Sequence, residues 1–130
     1  MLLFGHRLVE GENFYHISDI DAVLKTPPSS IIYLAFDEEN LDIIGYLKEN
    51  SIRFALEVKD LKEAILAYNL SASYIVVEEE IAKDVQEIAE TYLFDAKVIV
   101  HIDNEAKIEK YARLGIDGVV FPSAVVKVNS

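Results

Sequence analysis

Ile31-Ile32-Tyr33-Leu34-Ala35-Phe36 is the stretch on which the fold turns. Side chains of a strand alternate between two faces, and here both faces are apolar, so the segment reads as a strand flanked by neighbours on both sides. Four further runs have the same β-rich character: Arg53 to Val58, Tyr74 to Val77, Lys97 to Ile102 and Gly118 to Phe121. Between them lie stretches whose apolar residues recur at helical spacing, over about 38–50, 60–70, 80–93 and 104–114. Strands alternating with amphipathic helices of this length predict βα units feeding a parallel sheet. Asp60 and Asn104 suit helix N-caps, and Gly115 suits a left-handed helix end.

Strand order follows from polarity. In Arg53-Phe54-Ala55-Leu56-Glu57-Val58-Lys59 one face carries Arg53, Glu57 and Lys59, which suits an edge strand with one wet face. With the Ile31 strand inside and the Arg53 strand at the edge, the order is 2-1-3-4-5. That is an α/β, five-stranded parallel, flavodoxin-like sheet with helices on both faces. The alternative is a half (β/α) barrel in sequential order, which leaves the Ile31 strand on an open edge unless two chains pair or an N-terminal hairpin covers it. The N-terminal segment, residues 1–29, reads as an appendage: Leu2 to Val9 and Phe14 to Ile17 flank Glu10-Gly11-Glu12-Asn13 as a β-hairpin. A short helix from Asp19 to Lys25 follows, capped by Ser18, and Thr26-Pro27-Pro28-Ser29 ends it. Residues 30–130 form the βα core of a single domain spanning 1–130. Segments 53–76 and 97–120 align without a gap at a spacing of 44, which pairs Glu57 with His101.

Composition narrows the functional classes. Twelve basic against 23 acidic side chains leave a net charge of −11, without a Lys/Arg stripe to offset it. Such a chain repels phosphate backbones and anionic lipid, so neither nucleic acid nor a membrane surface is expected as a partner. No apolar run approaches the roughly 20 residues that span a bilayer, and the start Met1-Leu2-Leu3-Phe4-Gly5-His6 lacks a basic leader, so a cytoplasmic location is expected. The absence of Cys excludes disulfides, thiolate metal sites and a Cys nucleophile.

Candidate sites cluster where the predicted strands end. Asp37-Glu38-Glu39 and Glu78-Glu79-Glu80 follow the Ile31 and Tyr74 strands, which the preferred order makes neighbours at a switch point. Asp37, Glu38 and Glu78 are therefore metal candidates, with a divalent cation such as Mg²⁺ as the cofactor such oxygen ligands would take. Glu57 and His101 interrupt apolar strand text near its carboxyl end and, with Asp103 just beyond, are candidates for ligand binding or proton transfer. Strands two and four are not adjacent in the preferred order; a half barrel brings them nearer. His6 and Arg7 are anion-binding candidates, and His16 lies in the other arm of the proposed hairpin. No catalytic residue is assigned, because no P-loop, GxGxxG, GxSxG or HExxH pattern occurs.

From Ile31 onward the sequence resembles a response-regulator receiver domain, through Asp37-Glu38-Glu39-Asn40-Leu41, Asp60, Glu63-Ala64, Tyr74-Ile75-Val76-Val77-Glu78, Leu114-Gly115-Ile116-Asp117 and Phe121-Pro122. In that register Phe36 stands where the family has a metal-binding acid, Glu78 where it has the phosphorylated Asp, Ile102 near the switch hydroxyl and Phe121 where it has Lys. The resemblance therefore implies a pseudo-receiver without phosphoryl transfer, acting through protein contacts. A second resemblance, in Leu56-Glu57-Val58-Lys59 and Leu114 to Val120, is to the last units of a glycerophosphodiesterase-type barrel.

The leading expectation is a non-catalytic binding or regulatory module with a protein partner. The β-prone tail Ser123 to Val128 could pair with a second copy to make a homodimer. Its rivals are a small metal-dependent phosphoesterase or lyase working at the acidic rim, and a small-molecule sensor.

Overall fold

The computed structural model describes residues 1–130. In chain order its strands are β1 (Leu2–Phe4), β2 (Phe14–His16), β3 (Ile31–Ala35), β4 (Phe54–Glu57), β5 (Tyr74–Val77), β6 (Lys97–His101), β7 (Gly118–Val120) and β8 (Val125–Lys127). The helices are α1 (Ile20–Val23), α2 (Leu41–Glu49), α3 (Leu61–Asn69), α4 (Glu79–Thr91) and α5 (Lys107–Arg113). All eight strands are parallel and form one sheet in the order β1-β7-β6-β5-β4-β3-β2-β8.

The sheet has to curl. β7 and β8 stand second and eighth in it, about 29 Å apart if it were flat, at about 4.8 Å per strand. Only Phe121–Ala124 join them, a span of at most about 18 Å. Curling brings the borders together. The Phe4 and Phe14 rings, from β1 near one border and β2 near the other, lie 4.7 Å apart, and the Ser123 hydroxyl, in the connection to β8, donates to the Gly5 carbonyl after β1 at 3.1 Å. Gly5 takes φ +85° there, and a Cβ on it would stand 2.9 Å from the Cβ of Ala124.

Strand alternation then sorts the core into two layers. Phe4, Phe14, Ile31, Tyr33, Ala55, Val76, Ile99, Val120 and Ala124 fill the concave side, with Tyr74 edge-on against Phe4 and Phe14. The opposite faces of the same strands, including Ile32, Leu34, Leu56, Ile75 and Val100, pack against the helices through Ile44, Leu47, Ala64, Ala82, Val85 and Tyr111. Each buried Phe or Ile contributes about 1.5–3 kcal/mol through burial.

The five-stranded flavodoxin-like order is thereby corrected: the sheet is an eight-stranded curled, half-barrel sheet, and its helices cover only the convex face. The polarity of β4 misled because Arg53 and Lys59 lie outside the strand, and Ala55, on the same face, is fully buried inside the curl. The hairpin is corrected too. β1 and β2 do not pair with each other: β1 joins β7, and β2 covers the edge of β3. The border that a half barrel leaves open beside Ile31 is closed by the N-terminal segment itself. The tail forms β8 and pairs with β2 of the same chain, so it is not a free strand.

The helices fall where periodicity puts them. Asp60 caps α3 through Glu63 N, Gly115 takes φ +74°, and the α1 cap is Asp19, one residue after the expected Ser18. Asn104 does not cap α5, which starts after Ala106, and its side chain instead accepts from Ala106 N in the turn before the helix. No helix is long and apolar enough to cross a membrane.

Candidate functional site

Inward-facing residues at the carboxyl ends of the strands form the mouth of the curl, the end at which parallel barrels place their active sites. β3 presents Tyr33, only 3% exposed; β4 presents Glu57; β6 presents His101; β2 presents His16. The Tyr33 hydroxyl donates to Glu57 Oε2. Its single proton thus committed, the phenol oxygen accepts from His101 Nε2–H at 2.9 Å. His101 Nε2 stands 3.6 Å from Glu57 Oε2. The edge of the His16 ring packs against Tyr33 at 5.1 Å between centroids.

These contacts fix the charge states. His101 beside it, and then the Tyr33 hydroxyl, hold the Glu57 carboxyl down to about 2 against the opposing effect of burial. Burial, followed by the bond to Glu57, pushes the Tyr33 phenol far above its usual range. Burial also lowers the His16 imidazole, with the Glu57 charge working in the other direction. Glu57 is therefore a fixed negative charge, and Tyr33 a neutral bridge.

His6, at the end of β1, reaches the same mouth from the other side. Its Nδ1 accepts from Leu8 N at 3.1 Å, which leaves Nε2–H to donate to Glu105 at 2.8 Å. Arg7 lies 3.6 Å from the same carboxylate. The anion-binding candidates His6 and Arg7 are thus both engaged by Glu105, which opposes an anion at that place. All three histidines of the chain reach the carboxyl end of the sheet.

The other candidates separate. Asp103 is 81% exposed and lies 3.9 Å from Lys107. Asp37 accepts from Glu39 N, Glu38 opens a short 3-10 turn, and Glu78 is the residue before α4. β4 runs between β3 and β5, so the convergence expected of Asp37, Glu38 and Glu78 at a switch point does not arise. No three His, Asp or Glu side chains group as a metal shell. These residues do not fit the divalent cation expected of them.

Nearby, Glu79 accepts from the Tyr111 hydroxyl at 2.6 Å and from Lys107 at 2.8 Å, tying α4 to the start of α5. Depressions lie elsewhere: one of about 640 Å³ at the amino ends of β3 and β4, lined by Pro27, Pro28, Tyr46 and Arg53, and one of about 510 Å³ between α2 and α3.

Sequence reasoning missed Tyr33 and His16 as members of the site. Tyr33 was hidden in apolar strand text, where a hydroxyl at the inward parity was the available signal. His16 was assigned to a hairpin arm. Compared with known proteins, the chain matches no family model, and no curated protein is significantly similar to it.

Proposed function

We propose that this chain is a small acid–base enzyme of the half-barrel type, in which His101 exchanges a proton with a small polar substrate at the mouth of the sheet. The observation that carries this reading is one buried hydroxyl, that of Tyr33, bonded at once to a carboxylate and an imidazole at the carboxyl ends of parallel strands.

The roles follow from the bonds. His101 Nε2 is occupied by Tyr33, so Nδ1, which makes no hydrogen bond within the protein, is the nitrogen open to a substrate. When Nδ1 takes a proton the ring becomes an imidazolium, and the Glu57 carboxylate stabilises it electrostatically. Glu57 does not take the proton itself, because its carboxyl is held near 2. Tyr33 and Glu57 are positioning residues that fix the tautomer and orientation of the ring. Return of the same proton from Nδ1 to another substrate atom closes an isomerase- or lyase-type cycle without net change at the protein.

The test uses pyruvate, dihydroxyacetone and inorganic phosphate as carbonyl, hydroxyl and anionic probes against isotopically labelled protein. Saturable shifts at His101, Glu57 and Tyr33, with deuterium entering the carbon of a carbonyl probe in D₂O and lost in His101→Gln, are expected. No probe perturbing the mouth and no exchange above the protein-free rate would overturn the proposal.

A further inference from the structure

The apolar residues of α3 cover more of its circumference than the sheet covers. In Leu61-Lys62-Glu63-Ala64-Ile65-Leu66-Ala67-Tyr68-Asn69 only Ala64 and Ala67 are fully buried, while Ile65 and Leu66 are 40% and 44% exposed. A surface helix ordinarily confines its apolar residues to the stripe that faces the core. Beside it Leu41, which opens α2, is 47% exposed. The two helices border the groove of about 510 Å³, whose apolar lining is Phe36, Leu41, Leu66 and Leu70.

Charge is divided across this groove. Asp37 and Glu38 lie on the α2 side, and Lys59 and Lys62 on the α3 side. Neither lysine forms an ion pair within its own chain. Glu63, also in the lining, is already bonded to the backbone N–H of Lys59.

We propose that this groove is where two copies of the chain associate, about a two-fold axis parallel to α2 and α3. Under that operation α2 of one copy faces α3 of the other with like ends aligned. Leu41 then packs on the partner's Leu66, and Asp37 and Glu38 meet the partner's Lys59 and the partner's Lys62. The patch is self-complementary, as an isologous contact requires, with an apolar centre and a charged rim. Each copy carries −11, so close approach needs a surface where opposite charges face one another locally. The groove supplies that surface, and the proposal does not depend on the chemistry at the mouth.

Sedimentation velocity across a dilution series tests it, with circular dichroism to verify folding of each variant. A reversible dimer is expected. Leu66→Glu and, separately, Leu41→Glu should weaken it by about tenfold or more, as loss of a central interface anchor does. Lys62→Glu should weaken it, and Lys62→Glu combined with Glu38→Lys should restore it. A wild-type monomer at the highest concentration would overturn the proposal, as would a dimer indifferent to the folded leucine variants or a double reversal that fails to restore association.

Discussion

Glu57 Oε2 and His101 Nε2 stand 3.6 Å apart although β5 runs between their strands. In a flat sheet strands two places apart are separated by about 10 Å. The curl closes that distance on the concave side, and the Tyr33 hydroxyl from β3 reaches both groups. The site is therefore a consequence of the curvature, which is in turn enforced by the four-residue connection from β7 to β8.

Tyr33→Phe keeps the ring packing and removes the bridge. Glu57 and His101 each lose a partner at a half-buried place, for an expected cost of about 1–3 kcal/mol. Urea denaturation at neutral pH measures it, and a change below about 0.5 kcal/mol, the lower end for one net hydrogen bond, would show that the bridge contributes nothing.

Glu57 should also shape the acid limb of stability. Its folded carboxyl sits at about 2 against an ordinary 4.5, so its contribution is present above pH 4.5 and is lost as pH falls toward 2. Solvent around this partly exposed group screens the effect to about 1 kcal/mol. Denaturant midpoints followed down through that window should fall less steeply in Glu57→Gln than in the wild type.

Much of this was legible in the sequence, and the failures have physical causes. Strand and helix positions followed from periodicity because each element buries one face, and the spacing of 44 matched Glu57 with His101 on equivalent strand ends. Order was misread because the polar residues of β4 sit at its ends, where any strand meets water, and not along an exposed face. β1 and β2 were read as a hairpin since parallel pairing with distant strands leaves no local signal: the partners of Phe14 are Ile31 and Val125. The bridge hydroxyl of Tyr33 was invisible because a buried tyrosine is written into a sequence exactly as a core aromatic is.

In alkali, the seven tyrosines should separate. Burial and the bond to Glu79 push Tyr111 up to about 12, and Tyr33 lies higher still. The stability that Tyr111 contributes as a neutral phenol is present below pH 10 and lost as pH rises through about 12. Phenolate absorbance during a titration should show two late tyrosines, and Glu79→Gln should move one of them earlier.

Two glycines give opposite outcomes for the same substitution. At Gly5 a Cβ meets Ala124 at 2.9 Å with φ at +85°, so Gly5→Ala should cost about 1–3 kcal/mol where the sheet borders meet. At Gly45, within α2, nothing lies within 4 Å, and Gly45→Ala should stabilise by about 0.5–1 kcal/mol. Thermal melts of the two variants beside the wild type compare them directly.

The most direct measurement is the carboxyl ¹³C titration of Glu57 by NMR, in the wild type and in His101→Gln. A midpoint near 2 that rises toward 4.5 when the imidazole is removed is expected if His101 and Tyr33 clasp the carboxylate at the mouth. A wild-type midpoint already near 4.5, or one unmoved by the loss of His101, would contradict it.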